Sequence, residues 1–165
     1  MFDGVYMVNK VISNTGPIIH LGEIMLLNAL DIFPNILITN EVLSELNKYK
    51  VSIPKRIKVI DLSNLSKDNV KLFTNQHDLD LGEASAIALA IQEKAIYFIT
   101  DDLEARVIAQ KYGLEVHGTI GIVLRAFREK IIDKKTTINK INELYHKSSL
   151  FITKDLVEDI LKEIN

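Results

Sequence analysis

The chain of 165 residues contains no cysteine and no tryptophan, and its net charge is only −2. Without cysteine there is no disulfide, no thiolate metal site and no thiol nucleophile, so any metal must be held by oxygen or imidazole. The near-neutral charge argues against a protein that coats nucleic acid, while leaving room for a nuclease with local Lys/Arg patches around an acidic centre. No apolar run approaches a membrane span, and the start, MFDGVYMVNK, has neither the basic lead nor the apolar core of a signal peptide, so a cytoplasmic protein is expected. Prolines and glycines are few, and no low-complexity segment or internal repeat appears. The length fits one domain with a sizeable core, expected over 10–165 and including two C-terminal helices, with 1–9 as a short N-terminal extension.

The chain is organised around Leu79 to Leu103, LDLGEASAIALAIQEKAIYFITDDL. It reads as a turn, a helix opened by Gly82 and Glu83, and an apolar strand, Ala95 to Thr100, that runs into Asp101 and Asp102. Two adjacent carboxylates at the end of a buried strand are costly unless a cation or the solvent of a cleft meets them. Before this stretch, Lys10 to Ser13 reads as a strand, followed by a helix with Thr15 or Gly16 as cap and Pro17 at its first position, continuing through IIHLGEIMLLNAL with a possible break at Gly22. Asn35 to Thr39 is a second strand, Asn40 to Lys50 a helix carrying Glu45, Ile57 to Leu62 a strand, and Ser66 to Thr74 a short helix. After it come a helix from Leu103 stopped by Gly113, a brief strand over Leu114 to Val116, a helix from Gly118-Thr119 through Ile132, and two amphipathic tail helices, the last capped by Thr153. The alternation of strand and helix predicts an α/β fold: a three-layer α/β/α sandwich with a central, mostly parallel sheet.

In a parallel sheet Asn14, Glu45, Glu83, Asp101 and Asp102 fall along one edge, the edge where such sheets bind ligands. Several carboxylates in one cleft repel one another, and the usual remedy is a hard divalent cation with oxygen ligands. Mg2+ or Mn2+ fits, because each leaves coordination positions open for phosphate. Phosphodiester hydrolysis is the chemistry that follows.

The segments VISNTGPIIHL, ITNEVLSEL, DLGEASAIALA and FITDDLEARVIAQKYGLEVHGTIG together resemble the PIN-domain family, in particular the branch related to the VapC toxins of prokaryotic toxin–antitoxin pairs. The resemblance runs from about Lys10 to the last helix. It implies a metal-dependent endoribonuclease acting on RNA, with an antitoxin protein as partner and a homodimer as the assembled form. It places Asn14, Glu45, Glu83 and Asp102 at the metal-binding positions, and Glu45, Glu83, Asp101 and Asp102 as the catalytic carboxylates. Asn14 departs from the pattern, which has Asp there; an amide oxygen can coordinate a cation but brings no charge. The same pattern often turns on a glycine where this chain has Lys130.

Simpler readings stand beside these. Asp80 with Glu83, and Asp101 with Glu104, are spaced as capping boxes, and Asn14 suits a turn. His20, His77, His117 and His146 show no paired ligand spacing and read as structural or surface residues, with His77 nearest the acidic turn. Lys48, Lys50, Lys55, Arg56 and Lys58, and Arg106, Arg125 and Arg128, read as solvated surface that could also contact an RNA backbone. The competing function is a PIN-like binding module whose catalysis is weakened by Asn14. A phosphoacceptor domain would need Asp at position 14, and a dinucleotide-binding fold would need a Gly-rich loop over Ser13 to Pro17, which is absent.

Overall fold

The computed structural model describes residues 9–165; the expected extension over 1–9 lies, but for Asn9, outside them. A five-stranded sheet runs β3-β2-β1-β4-β5, with every neighbouring pair parallel. The strands are β1 (Lys10–Ser13), β2 (Asn35–Ile38), β3 (Lys58–Val59), β4 (Tyr97–Ile99) and β5 (Glu115–His117). Val11, Ile12, Ile36, Ile38, Phe98 and Ile99 are buried, as strands covered on both faces require. The helices are α1 (Thr15–Glu23), α2 (Asn40–Lys48), α3 (Asn64–Gln76), α4 (Leu81–Gln92), α5 (Leu103–Lys111), α6 (Thr119–Arg128), α7 (Lys134–Lys147) and α8 (Lys154–Ile164). Together they make the expected α/β/α sandwich. Among the described residues no helix is long and apolar enough to cross a membrane.

From β1 the chain builds outward through β2 to β3, then crosses back to place β4 on the other side of β1 and β5 beyond it. The order therefore reverses between β1 and β4. A crevice opens at such a switch point, beyond the carboxyl ends of the two strands. The helix that crosses back to it, α4, is buried on every side from Ala84 to Ala90. Its run of alanines lets α2, α3 and the sheet approach closely, and the Thr39 and Ser85 hydroxyls meet 2.8 Å apart in that interface.

Several boundaries differ from the sequence reading, each for a local reason. Asn14 is the N-cap residue of α1, so Pro17 sits at the third helical position, where a missing N–H is equally harmless. The helix ends at Glu23 beside Gly22; Met25 turns through φ 53°, and Leu27–Ile32 continues as a 3₁₀ helix. β3 is two residues long because it is an edge strand paired only with β2. α3 is longer than expected, with Ser63 accepting the Ser66 N–H as its cap. α6 stops at Arg128, not Ile132, and the chain turns at Lys130 with φ 62°. Gly113, at φ 78°, closes α5 as its sequence position implied.

Candidate active site

Asn14, Glu45, Glu83, Asp101 and Asp102 all line one cleft of about 650 Å3 at the β1/β4 switch point. Asn14 follows β1 directly, and its backbone N–H donates to the Ile99 carbonyl at 2.8 Å, tying the ends of the two central strands together. Its side-chain amide is buried and donates to the Thr100 hydroxyl at 3.4 Å. Glu45 reaches in from the second turn of α2. Its Oε2 accepts the Thr15 hydroxyl at 2.5 Å, and its carboxylate lies directly over Gly82, where a Cβ would come within 2.9 Å of Oε2. Gly82 is thus the absence of a side chain that makes room for a carboxylate.

Glu83 and Asp80 form the capping box expected from their spacing. The Glu83 N–H donates to Asp80 Oδ1 at 2.8 Å, and the Asp80 N–H donates to Glu83 Oε2 at 2.9 Å. Burial pushes the Glu83 carboxyl up to about 7; the Asp80 backbone N–H opposes this, while the carboxylates of Asp80, Asp102 and Glu45 push it further. Asp102 caps α5, accepting the Ala105 N–H at 2.7 Å.

The two adjacent aspartates part company. Instead of pairing with Glu104 as a capping box, the Asp101 carboxylate accepts the Thr119 N–H at 2.7 Å and the Thr119 hydroxyl at 2.5 Å, and stands 2.7 Å from His20 Nδ1. Burial acts against its charge, but these bonds outweigh it and hold the carboxyl below its usual range. Asp101 therefore joins β4, α6 and α1 at the cleft wall.

The donor set is all oxygen with one imidazole, which suits a hard cation, and the Glu83 carboxyl is raised first by burial and then by the neighbouring carboxylates. As posed, no group of three or more Asp, Glu or His side chains among the described residues is spaced to hold an ion. Glu83 and Asp102 are turned to their own helix N-termini, where each accepts a backbone N–H. The residues fit the group chemically; Asn14, Glu45, Glu83 and Asp102 are those that would hold it.

A family model described as a PIN domain matches residues 10–165. The chain belongs to the PIN-domain family. Among solved structures, a PilT N-terminus domain protein from the hyperthermophilic archaeon Sulfolobus solfataricus is similar at 17% identity and a TM-score of 0.54, covering 71% of this chain and 92% of its own. Its likeness shows the shared PIN-like fold. VapC20 of Mycobacterium tuberculosis, a sarcin-ricin loop cleaving toxin, is similar at 14% identity and a TM-score of 0.49, covering 59% of this chain and 94% of its own. No curated protein matches the chain.

Thr15 and His20 line the cleft and Thr119 bonds Asp101, whereas the sequence reading gave Thr15 and Thr119 only helix-start roles and took His20 as structural or surface. A signal for His20 existed: side chains lean toward a helix N-terminus, so a histidine in the second turn of α1 points back toward the sheet edge. Nothing local marks Thr119, whose partner is 18 residues away. His77, nearest the acidic turn in sequence, is the C-cap residue of α3 and does not line the cleft. Arg56 and Arg125 are likewise not free for RNA: Arg56 donates to the Phe33 carbonyl and pairs with Asp31, and Arg125 lies over the Phe33 ring and pairs with Glu129.

Proposed function

We propose that this PIN-domain protein is a divalent-metal-dependent endoribonuclease, of the kind that serves as the toxin of a toxin–antitoxin pair. The observation that carries the reading is geometric: Asn14, Glu45, Glu83 and Asp102, from four different elements, line one cleft at the switch point of the parallel sheet. Such a cluster is stabilised by a cation. When bound, Mg2+ or Mn2+ supplies charge neutralisation at the scissile phosphate and a water of lowered pKa. Glu45, Glu83, Asp102 and the Asn14 amide oxygen hold it. Thr15 fixes Glu45 by its hydroxyl, and Gly82 leaves the space for that carboxylate. Near neutral pH the Glu83 carboxyl carries a proton for part of the time, which it gives up when positive charge arrives. Asp101, its oxygens engaged by Thr119 and His20, acts as a positioning residue rather than as a catalytic carboxylate.

The reading includes residues 10–165 as one domain, a cytoplasmic location, and an antitoxin and a second copy of the chain as protein partners. Its test is cleavage of a structured RNA by the wild-type protein in Mn2+, with EDTA as control. Glu45→Gln, Glu83→Gln and Asp102→Asn should each reduce cleavage by at least about 100-fold, as loss of a group acting on the transition state does. Unchanged cleavage in all three would remove the proposal.

A second reading, a PIN-like binding module with weakened catalysis, is favoured by one feature: Asn14 leaves the site one negative charge short. It requires that the wild-type protein be inert with Mn2+ and that Asn14→Asp gain cleavage or metal binding.

A further inference from the structure

Hydrolysis needs an acceptor for the proton that leaves the attacking water, and the carboxylates of the cleft are already engaged. On the proposed reading Glu45, Glu83 and Asp102 hold the cation. Asp80 caps α4, and Asp101 takes two donors from Thr119. The same cleft holds one imidazole, that of His20.

His20 lies in the second turn of α1, and its ring is largely buried, with 13% of the side chain exposed. Its Nδ1 stands 2.7 Å from Asp101 Oδ2, and the proton in that contact belongs to the ring. Burial opposes the charge of Asp101, but the bonds from His20 and Thr119 outweigh it and hold the carboxyl below its usual range. Asp101 is therefore an ionised acceptor at neutral pH and has no proton to donate. With Nδ1–H as the donor, Nε2 of the neutral ring carries a lone pair. Nε2 has no hydrogen-bond partner among the described residues and is not sealed from solvent. Gly16, one turn earlier on α1 and itself part of the cleft lining, sets no side chain against the ring; an added Cβ would stand 3.5 Å from Cε1, the carbon between the two nitrogens. A carboxylate that fixes one ring nitrogen and leaves the other free orients an imidazole as a base.

We propose that His20 is the general base of the reaction, its Nε2 taking a proton from the water that attacks phosphorus. This rests on the reading of the cleft as a site of phosphodiester cleavage and assigns the proton transfer within it. As the water oxygen bonds to phosphorus, one of its protons passes to Nε2, and the bond from phosphorus to the leaving oxygen breaks. The leaving oxygen takes a proton from solvent. The imidazolium, its charge met by Asp101, returns its own proton to solvent.

The test compares wild type, His20→Asn and His20→Gln in Mn2+ on two diesters: a structured RNA, and bis(p-nitrophenyl) phosphate, whose leaving group departs without needing a proton. Asparagine can place an amide N–H where Nδ1 stands, so His20→Asn keeps the Asp101 bond and removes the acceptor. His20→Gln keeps more of the bulk and guards against a folding defect in the first variant. Both should hydrolyse both diesters at least about 100-fold more slowly, as loss of a positioned base does, while binding Mn2+ in titration calorimetry as wild type does. Nitrogen NMR of the wild-type ring in EDTA, above neutral pH, should show Nδ1 protonated and Nε2 bare. Unchanged hydrolysis in the variants would overturn the proposal. So would loss on RNA alone, which would put His20 at the leaving group or in RNA binding. Loss of Mn2+ affinity would overturn it by making His20 a ligand of the cation, and a proton found on Nε2 would overturn it by removing the acceptor. Hydrolysis of neither diester by wild type would instead sink the cleavage reading, and the base with it.

Discussion

Glu83 is where single-residue chemistry is most exposed to measurement. Its carboxyl is raised from 4.5 to about 7 by burial and by neighbouring carboxylates, so the folded state binds the proton more tightly than the unfolded chain does. That contribution is fully present below about pH 4.5 and is lost as pH rises through 7. Glu83→Gln keeps the capping box, because glutamine can accept the same N–H. In EDTA at pH 8 the variant should melt a few degrees above wild type, and the two should converge at pH 4.5. Adding Mn2+ should reverse the order by stabilising only wild type. A pH-independent difference in thermal scans would refute the assignment.

Gly82 makes a complementary test. Alanine is the better helix former by roughly 0.5–1 kcal/mol, yet its Cβ would fall on the Glu45 carboxylate. That carboxylate is the end of a flexible side chain and can move aside. Gly82→Ala should therefore fold normally by circular dichroism and lose RNA cleavage as severely as Glu45→Gln.

At the scale of elements, the two aspartates after β4 predict opposite phenotypes. Asp102→Asn preserves a good N-cap for α5 and should leave the urea midpoint within experimental error. Asp101→Asn replaces a part-buried charged acceptor shared by Thr119 and His20, and should cost about 1.5–3 kcal/mol in urea denaturation. The turn after α6 predicts a gain. Lys130 occupies the left-handed region at φ 62°, which disfavours a residue bearing a Cβ, so Lys130→Gly should stabilise by about 0.5–1 kcal/mol. Here the sequence was a good guide, since the position was one where the resembling family often has glycine. It was a poor guide at Leu27–Ile32, because the same apolar spacing serves a helix and a tight 3₁₀ segment, and the choice was made by Met25 turning through positive φ. It was also a poor guide to β3, whose length depends on an edge position that only the assembled sheet defines.

For the whole molecule, parallel order was legible because strand and helix alternate with strands too apolar for one-sided burial. The cleft was legible for the same reason: Asn14 and Asp102 follow β1 and β4, and the strand order reverses between those two. What the chain order did not reveal were contacts that exist only after folding, such as Asp101 with Thr119 and His20, or Glu45 over Gly82. Those contacts engage Asp101 in the cleft wall; on the proposed reading Glu45, Glu83 and Asp102 are the carboxylates that would hold the ion.

Isothermal titration of Mn2+ at pH 7 into wild type, Asp102→Asn and Asn14→Asp tests that division most directly. The account predicts saturable binding by wild type, with proton release visible as a dependence of the heat on buffer, and loss of binding in Asp102→Asn. No binding by wild type, with binding gained in Asn14→Asp, would contradict it and identify a PIN fold whose metal site is disabled at residue 14.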